Sequence, residues 1–429
     1  MALRSMALSD WLSHLEQGPR GGIALGLDRV RVLALRLGIR FDCPVILVGG
    51  TNGKGSTCAM LESILTQAGY RTALYTSPHL LRFNERARLA QQAMDDETLL
   101  ASFEAVEAAR GDEALTFFEF TSLAVFHAFM QAKPEVLIAE IGLGGRLDAV
   151  NILDPDCAIV TAIDIDHAEW LGNTREQIAW EKAHIYRPGR PAICSDPAPP
   201  QSLIDHAEKI GADLYLFGRD FNYAGDRQQW SFAIRDRRRA SLAYPALRGA
   251  NQLLNASGVL AALDALRMRL PIPAHAVRQG FALVDLPGRF QVLPGQPTVI
   301  LDVAHNPHAV AHLAANLDQM GFFPETYAVF GMLKEKDVEA SLRAITSRVQ
   351  HWMLCSLPGA RGQSADALAQ KLSENKLLAV DALGKSAQFS CHESPAAAFA
   401  AARGQAQDND RIVVFGSFLT VADVLAGRG

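Results

Sequence analysis

The sequence predicts an α/β protein of two domains, a larger N-terminal one with a mainly parallel sheet and a smaller, Rossmann-like C-terminal one. Three observations lead there. Short apolar or β-branched runs alternate with longer stretches of helical periodicity, the pattern of a parallel sheet covered on both faces. A glycine-rich turn separates the first clear strand run from the helix after it. Pro and Gly cluster between Leu286-Pro-Gly-Arg289 and Gly295-Gln-Pro297, and a fresh set of strand runs begins beyond them.

Each element has its own signal. Pro44–Val48 is an unbroken apolar run and reads as a buried strand, followed by the glycine turn and a helix from Thr57 to Ala68. Arg71–Tyr75 is the next strand, and Val136–Glu140 and Ala158–Ile163 are two more, each leading into polar or acidic residues. In the second half Thr298–Asp302, Tyr327–Phe330, His351–Leu354 and Arg411–Phe415 read as strands with helical patterns between them. The domains are placed at residues 1–296 and 297–429, since a chain of 429 residues exceeds one ordinary core.

Composition excludes several classes. Apolar residues make up 49% and charged residues 20%, the balance of a soluble globular chain. A net charge of -5 argues against a nucleic-acid surface, and the run Arg235-Asp-Arg-Arg-Arg239 reads as a solvated loop. Six cysteines without a C-x-x-C pair read as reduced, mostly buried thiols rather than a disulfide framework or zinc site. Trp11–Leu15 is amphipathic rather than a leader, and no apolar run approaches the roughly 20 residues that span a bilayer. The expectation is a cytoplasmic protein with neither nucleic-acid nor membrane partners.

Gly50-Thr-Asn-Gly-Lys-Gly-Ser56 follows a strand and opens a helix, the setting a phosphate loop requires. Glycines let backbone N–H groups turn toward an anion, the helix N-terminus adds a positive dipole end, and Lys54 adds a full charge. The spacing departs from G-x-x-x-x-G-K-[ST]: Val48 stands where that pattern has Gly, and Gly55 intervenes between Lys54 and Ser56. Polyphosphate chemistry needs Mg²⁺, a hard cation with oxygen ligands, at the carboxyl ends of the strands. Glu140 ends a predicted strand, Ser77 and His167 each follow one, and these three are the candidates.

The loop form G-T-N-G-K-G-S-T resembles that of the Mur ligase superfamily. Further segments resemble the bifunctional bacterial dihydrofolate synthase/folylpolyglutamate synthase family. They are Leu25–Val30, Thr76–Arg82 with Glu85-Arg86, Ile141–Asp148, Asp166-His167, Glu181–Ala183, Leu286–Arg289, Asp302–Pro307, Met332–Asp337 and Gly416-Ser417, in family order. The resemblance implies a P-loop ATPase domain followed by a glutamate-ligase domain, Mur ligase-like in fold. It implies an ATP-dependent amide ligase that joins L-glutamate to dihydropteroate and extends reduced folates through an acyl phosphate.

The resemblance also implies residue roles. Thr51, Asn52, Gly53, Lys54, Gly55 and Ser56 bind ATP phosphates, and Ser77, Glu140 and His167 hold Mg²⁺, with K⁺ allowed as a further cation. Lys182 is a carbamylated lysine, a modification that needs an uncharged amine. Asn255, Arg289 and Asp302 contact ATP from across the cleft, and His305 lies near the transferred phosphoryl group or the incoming glutamate. The pterin is expected against Ile23, Ala24, Leu25, Thr116, Phe117, Phe118, Glu119, Leu147, Asp148 and Ala149. There the two phenylalanines offer flat faces, and Asp148 or Glu119 a hydrogen-bond acceptor. Ala24 departs from the family, where an acidic residue can stand, and Asn251 and His184 depart at flanking positions. A monomer is expected.

Three other readings compete, one of them a non-catalytic nucleotide-binding protein, against which Lys54, Glu140 and Asp302 argue. A Mur-type ligase acting on UDP-muramyl peptides would carry a further N-terminal domain, and 49 residues precede Gly50 here. A P-loop switch ATPase would hydrolyse ATP without a carboxylate acceptor.

Overall fold

The computed structural model describes residues 6–17, 24–226, 228–249, 251–378 and 386–427, so Ile23 lies outside the described residues. The chain divides into two compact units. One comprises Met1–Ala246 with Leu253–Val284, the other Leu247–Gln252 with Asp285–Gly429.

The first unit contains strands β1 (Val45–Gly49), β2 (Thr72–Tyr75), β3 (Ala87–Leu89), β4 (Gln92–Ala93), β5 (Val136–Glu140), β6 (Cys157–Val160), β7 (Pro191–Cys194) and β8 (Asp213–Leu216). They form one sheet in the order β4-β3-β2-β5-β1-β6-β7-β8. Pairings from β2 through β8 are parallel, and β3 and β4 add an antiparallel edge. β1, β5 and β6 are buried throughout, which is why their sequences show no polar alternation. β1 lies between β5 and β6, with Val48 opposite Glu140 and Gly49 opposite Val160. The carboxyl ends of the three strands therefore open onto one edge, the place where open α/β sheets bind ligands.

The helix Lys54–Gln67 begins three residues earlier than the sequence predicts, because Gly53 at φ +89° turns the chain directly into it. It is buried from Ser56 to Leu65 and packs against the helix Ala274–Leu283. A Cβ on Gly280 would stand 2.5 Å from the Ile64 backbone, so only glycine permits this approach. The predicted strand 158–163 ends at Val160, since Thr161 and Ala162 leave the ladder to grip the phosphate loop.

A second sheet in this unit was not foreseen. β9 (Phe221–Gly225), β10 (Trp230–Ile234) and β11 (Arg237–Leu242) form an antiparallel sheet. The basic run predicted as a loop is in fact the turn and outer strand of the β10–β11 hairpin. Trp230, Phe232 and Ile234 bury one face of β10, which the exposed arginines of β11 concealed from a reading by charge. Arg235 turns at φ +47°, pairs with Asp213 at 3.0 Å and lies over the Tyr215 ring.

The second unit holds β12 (Gln291–Leu293), β13 (Thr298–Leu301), β14 (Thr326–Phe330), β15 (His351–Cys355), β16 (Gln388–His392) and β17 (Arg411–Phe415), in the order β12-β13-β17-β14-β15-β16. All pair in parallel except the edge strand β12. Phe330, Trp352, Phe415 and Leu313 anchor its core. Cys58, Cys157, Cys194 and Cys355 are buried free thiols, and no described helix is long and apolar enough to cross a membrane.

Candidate active site

The phosphate loop is clamped by the segment that follows β6. Thr51 N–H donates to Ala162 O at 2.7 Å, and Thr51 Oγ1 exchanges two 3.0 Å hydrogen bonds with the Asp164 backbone. Thr161 Oγ1 donates to Asn52 O at 2.7 Å. It also fills the space a side chain at position 50 would need: a Cβ on Gly50 (φ +140°) would stand 1.8 Å from it. Gly53 also faces Asn255 closely, its Cβ position 2.5 Å from Asn255 Oδ1. Asn255 thus belongs to the loop's own unit, on the helix Asn251–Ala265, rather than reaching in from the other one. Lys54 Nζ donates to Gly50 O and Thr51 O, both at 3.2 Å.

Lys182 comes to the same place from the helix Arg175–Ala183. Its side chain is buried and its ammonium donates to Gly50 O at 2.9 Å. Loss of solvation, then the nearby charge of Lys54, bring its pKa down to about 7. A substantial fraction of the amine is therefore neutral near neutrality, the form that adds CO₂. The turn 142–145 packs on this helix, since a Cβ on Gly145 would stand 2.7 Å from Glu181 O. Arg146 pairs with Glu181 at 2.9 Å and lies over Trp180.

Of the predicted metal ligands, the structure joins two directly: Ser77 N–H donates to Glu140 Oε2 at 3.3 Å. Glu85 shapes the segment beyond Ser77 by accepting from the N–H groups of Leu80, Leu81 and Arg82 at 2.7–2.8 Å. His167, at φ +52°, lies on the turn that Thr51 anchors. Among the described residues no three His, Cys, Asp or Glu side chains converge as a metal site. The predicted set supplies two such side chains and a hydroxyl. Carboxylate, hydroxyl and imidazole on one sheet edge, with water completing the shell, suit Mg²⁺ or Mn²⁺.

The segments predicted for the pterin also meet. Gly26 N–H reaches Leu147 O at 3.4 Å, and Arg29 links Ala24 O (3.4 Å) to Glu119 Oε1 (2.7 Å). Thr116 caps the helix Phe117–Ala132 by accepting from Glu119 N–H at 3.1 Å, and Thr116 N–H in turn donates to Glu119 Oε2 at 2.8 Å. Both oxygens of Glu119 are thus engaged in scaffolding, and so are both oxygens of Asp148. Asp148 takes N–H bonds from Leu143 (2.7 Å) and Val150 (3.0 Å), and desolvation raises its pKa to about 6. Phe117 and Phe118 are half-buried, as are Ala24, Leu25 and Leu147, while the Ala149 side chain is buried.

Two residues beside them escaped the sequence reading. Arg86 lies over the Phe83 and Phe117 rings and donates to His79 Nδ1 at 2.9 Å, and Tyr75 meets the Phe118 ring edge-on. Position 86 followed Glu85 in a quoted segment, so a signal existed for Arg86; nothing local marked Tyr75 or Thr161. A Cβ on Gly142 would stand 2.5 Å from Phe118 Cζ and 3.1 Å from Asp148 Oδ2. Gly142→Ala is therefore expected to raise the acceptor KM by about tenfold while the ATP KM changes less than about twofold, measured by steady-state kinetics. An unchanged acceptor KM would remove Phe118 from the site.

In the second unit Arg289, Asp302 and His305 gather where β13 ends. Asp302 accepts from Phe290 N–H (2.9 Å) and Ala304 N–H (2.8 Å), and burial raises its pKa to about 6 against the opposing pull of these bonds and of Arg289. Arg289 lies over the Phe418 ring at 5.0 Å, and His305 packs beside the same ring. His305 Nδ1 stands 2.8 Å from Val303 O, and a carbonyl only accepts, so Nδ1 carries a hydrogen. In neutral His305 the basic lone pair is therefore on Nε2.

Comparison with known proteins adds to this geometry. Residues 48–262 match the Mur ligase middle domain, and residues 288–418 match the Mur ligase glutamate ligase domain. The chain is 42% identical to the Escherichia coli K12 dihydrofolate synthase/folylpolyglutamate synthase, covering 97% of this chain and 94% of that one. The chain belongs to the dihydrofolate synthase/folylpolyglutamate synthase family. The Haemophilus influenzae relative of the same name is 39% identical over 98% of this chain and 97% of its own. The structure of E. coli FolC in complex with DHPP and ADP superposes with a TM-score of 0.92 at 41% identity, covering 99% and 98% of the two chains. A bifunctional family member with Mn, AMPPNP and L-glutamate bound gives a TM-score of 0.89 at 41% identity, with the same coverage.

Proposed function

We propose that this chain is an ATP-dependent ligase that joins L-glutamate to dihydropteroate, forming dihydrofolate, and adds further glutamates to reduced folates. The observation that carries the reading is the buried Lys182 amine against the Gly50 carbonyl of a glycine loop that also holds Lys54. Switch ATPases have no use for a second, desolvated lysine there, whereas a ligase that organises its metal through a carbamate does.

The carboxylate of the acceptor attacks the γ-phosphorus of ATP, the bond to the β-phosphate oxygen breaks, and acyl phosphate and ADP result. Positioning and charge neutralisation carry such a step. Lys54 and the N–H groups of residues 51–56 hold the polyphosphate, with Asn255 against Gly53. Ser77, Glu140 and His167 would hold Mg²⁺, which supplies further neutralisation of charge on the phosphate oxygens. The glutamate amine then attacks the acyl carbon and phosphate leaves with the bonding pair. His305 Nε2 accepts the proton that the amine sheds. Arg289 and Asp302 serve the nucleotide, and Phe117, Phe118 and Asp148 the pterin. The working form is read as a cytoplasmic monomer.

The test is ADP release with dihydropteroate plus glutamate, and separately with tetrahydrofolate plus glutamate. Both pairs are expected to stimulate release at least about tenfold over ATP alone, EDTA to abolish it and Mg²⁺ to restore it. Stimulation by only one pair would restrict the activity to that acceptor. Stimulation by neither would refute the reading.

A further inference from the structure

We propose that His308 and His312 form a two-histidine site for a borderline divalent transition ion of the Ni²⁺ or Cu²⁺ kind, on the first two turns of the helix Pro307–Asp318. Residues four apart share one face of a helix, which is how two imidazoles on one helix come to hold a metal. Here the Nε2 atoms stand 3.0 Å apart and the ring planes are 87° to one another.

The separation selects the ion. At metal–nitrogen distances of about 2.0–2.1 Å, nitrogens this far apart subtend roughly 94° at the metal, whereas a tetrahedral angle needs roughly 3.3–3.4 Å. The pair therefore fits two neighbouring corners of a square-planar or octahedral shell, the preference of Cu²⁺ and Ni²⁺ on nitrogen and oxygen donors. Mg²⁺, which favours oxygen, is not competitive there.

The helix holds the pair in place. Pro307 opens it, the Asn306 side chain caps it by accepting from Ala309 N–H at 2.9 Å, and Val310, Leu313, Ala314 and Leu317 bury the other face. Both histidines are half-buried, and among the described residues no third His, Cys, Asp or Glu completes a cluster, so the two imidazoles are the nitrogen donors this helix offers. Without metal, one imidazole donates its Nε2–H to the other. The ion takes both Nε2 lone pairs once the donor moves its hydrogen to Nδ1, with no net proton released and no change of oxidation state.

The test is calorimetric titration of the untagged full-length chain with Ni²⁺ in a background of excess Mg²⁺. Wild type is expected to bind about one Ni²⁺ per chain, and His312→Ala and His312→Gln to bind at least about tenfold more weakly. Both variants should keep wild-type ligase activity with Mg²⁺, and melting curves confirm that they fold. The neighbouring pair His184 and His206, with ring centroids 4.0 Å apart and planes tilted by 32°, is the internal control. His206→Ala is expected to leave Ni²⁺ binding unchanged. Wild-type affinity in the two His312 variants, or loss of binding in His206→Ala, would overturn the assignment.

Discussion

Lys54→Ala is expected to lower ADP release, stimulated by dihydropteroate and glutamate, by about a thousandfold or more. Two effects combine. The variant loses the full positive charge on the first turn of the helix after β1, and electrostatic groups aimed at a transferring phosphoryl contribute roughly 10²–10³ each in rate. It also loses the two 3.2 Å hydrogen bonds by which Nζ ties together the carbonyls of Gly50 and Thr51. The clamp from Thr161, Ala162 and Asp164 stays, so the loop should remain folded and the melting temperature should move little. A single-turnover assay separates the outcomes: an unchanged burst of ADP would show that Lys54 does not serve phosphoryl transfer.

The second large effect is expected at Lys182. Lys182→Met keeps the length and apolar stem of the side chain but cannot add CO₂, and it should lower kcat by about a hundredfold or more. Lys182→Ala should be at least as impaired and also less stable. In the wild type, carbamylation would join the neutral amine to CO₂ and release one proton. Because the amine pKa is lowered to about 7 by burial and by Lys54, the reactive fraction grows as pH rises through that value. The amine is mostly ammonium, and unreactive, below it. At fixed dissolved CO₂, reactivation of CO₂-stripped enzyme should therefore be faster at pH 8 than at pH 6. Full wild-type activity in rigorously CO₂-free buffer, together with an active Lys182→Met, would dispose of the carbamate.

What could be read from the sequence follows the range of the interactions. The phosphate loop was legible because its glycines, lysine and flanking strand and helix lie within a dozen residues. Glu140 stood out because a carboxylate closes an otherwise apolar strand. Thr161 did not, because its role arises where β6 meets a loop more than a hundred residues earlier in the chain. The same holds for the Arg29–Glu119 pair, whose partners are 90 residues apart and whose acidic member looked like a ligand rather than a helix cap. The β9–β11 sheet was hidden for another reason. Its outer strand carries three consecutive arginines, Arg237–Arg239, and charge outweighed the alternating Trp230, Phe232 and Ile234 of its neighbour.

The grip of residues 161–164 on the loop has an entropic consequence. Fixing a residue's backbone costs about 1–2 kcal/mol, and a flexible glycine loop of seven residues would charge that cost against nucleotide affinity. Here Thr51, Asn52 and Gly50 are held against Thr161, Ala162 and Asp164 by the chain's own contacts. The ordering is completed when the polypeptide folds, and the polyphosphate meets a receptor whose shape precedes it.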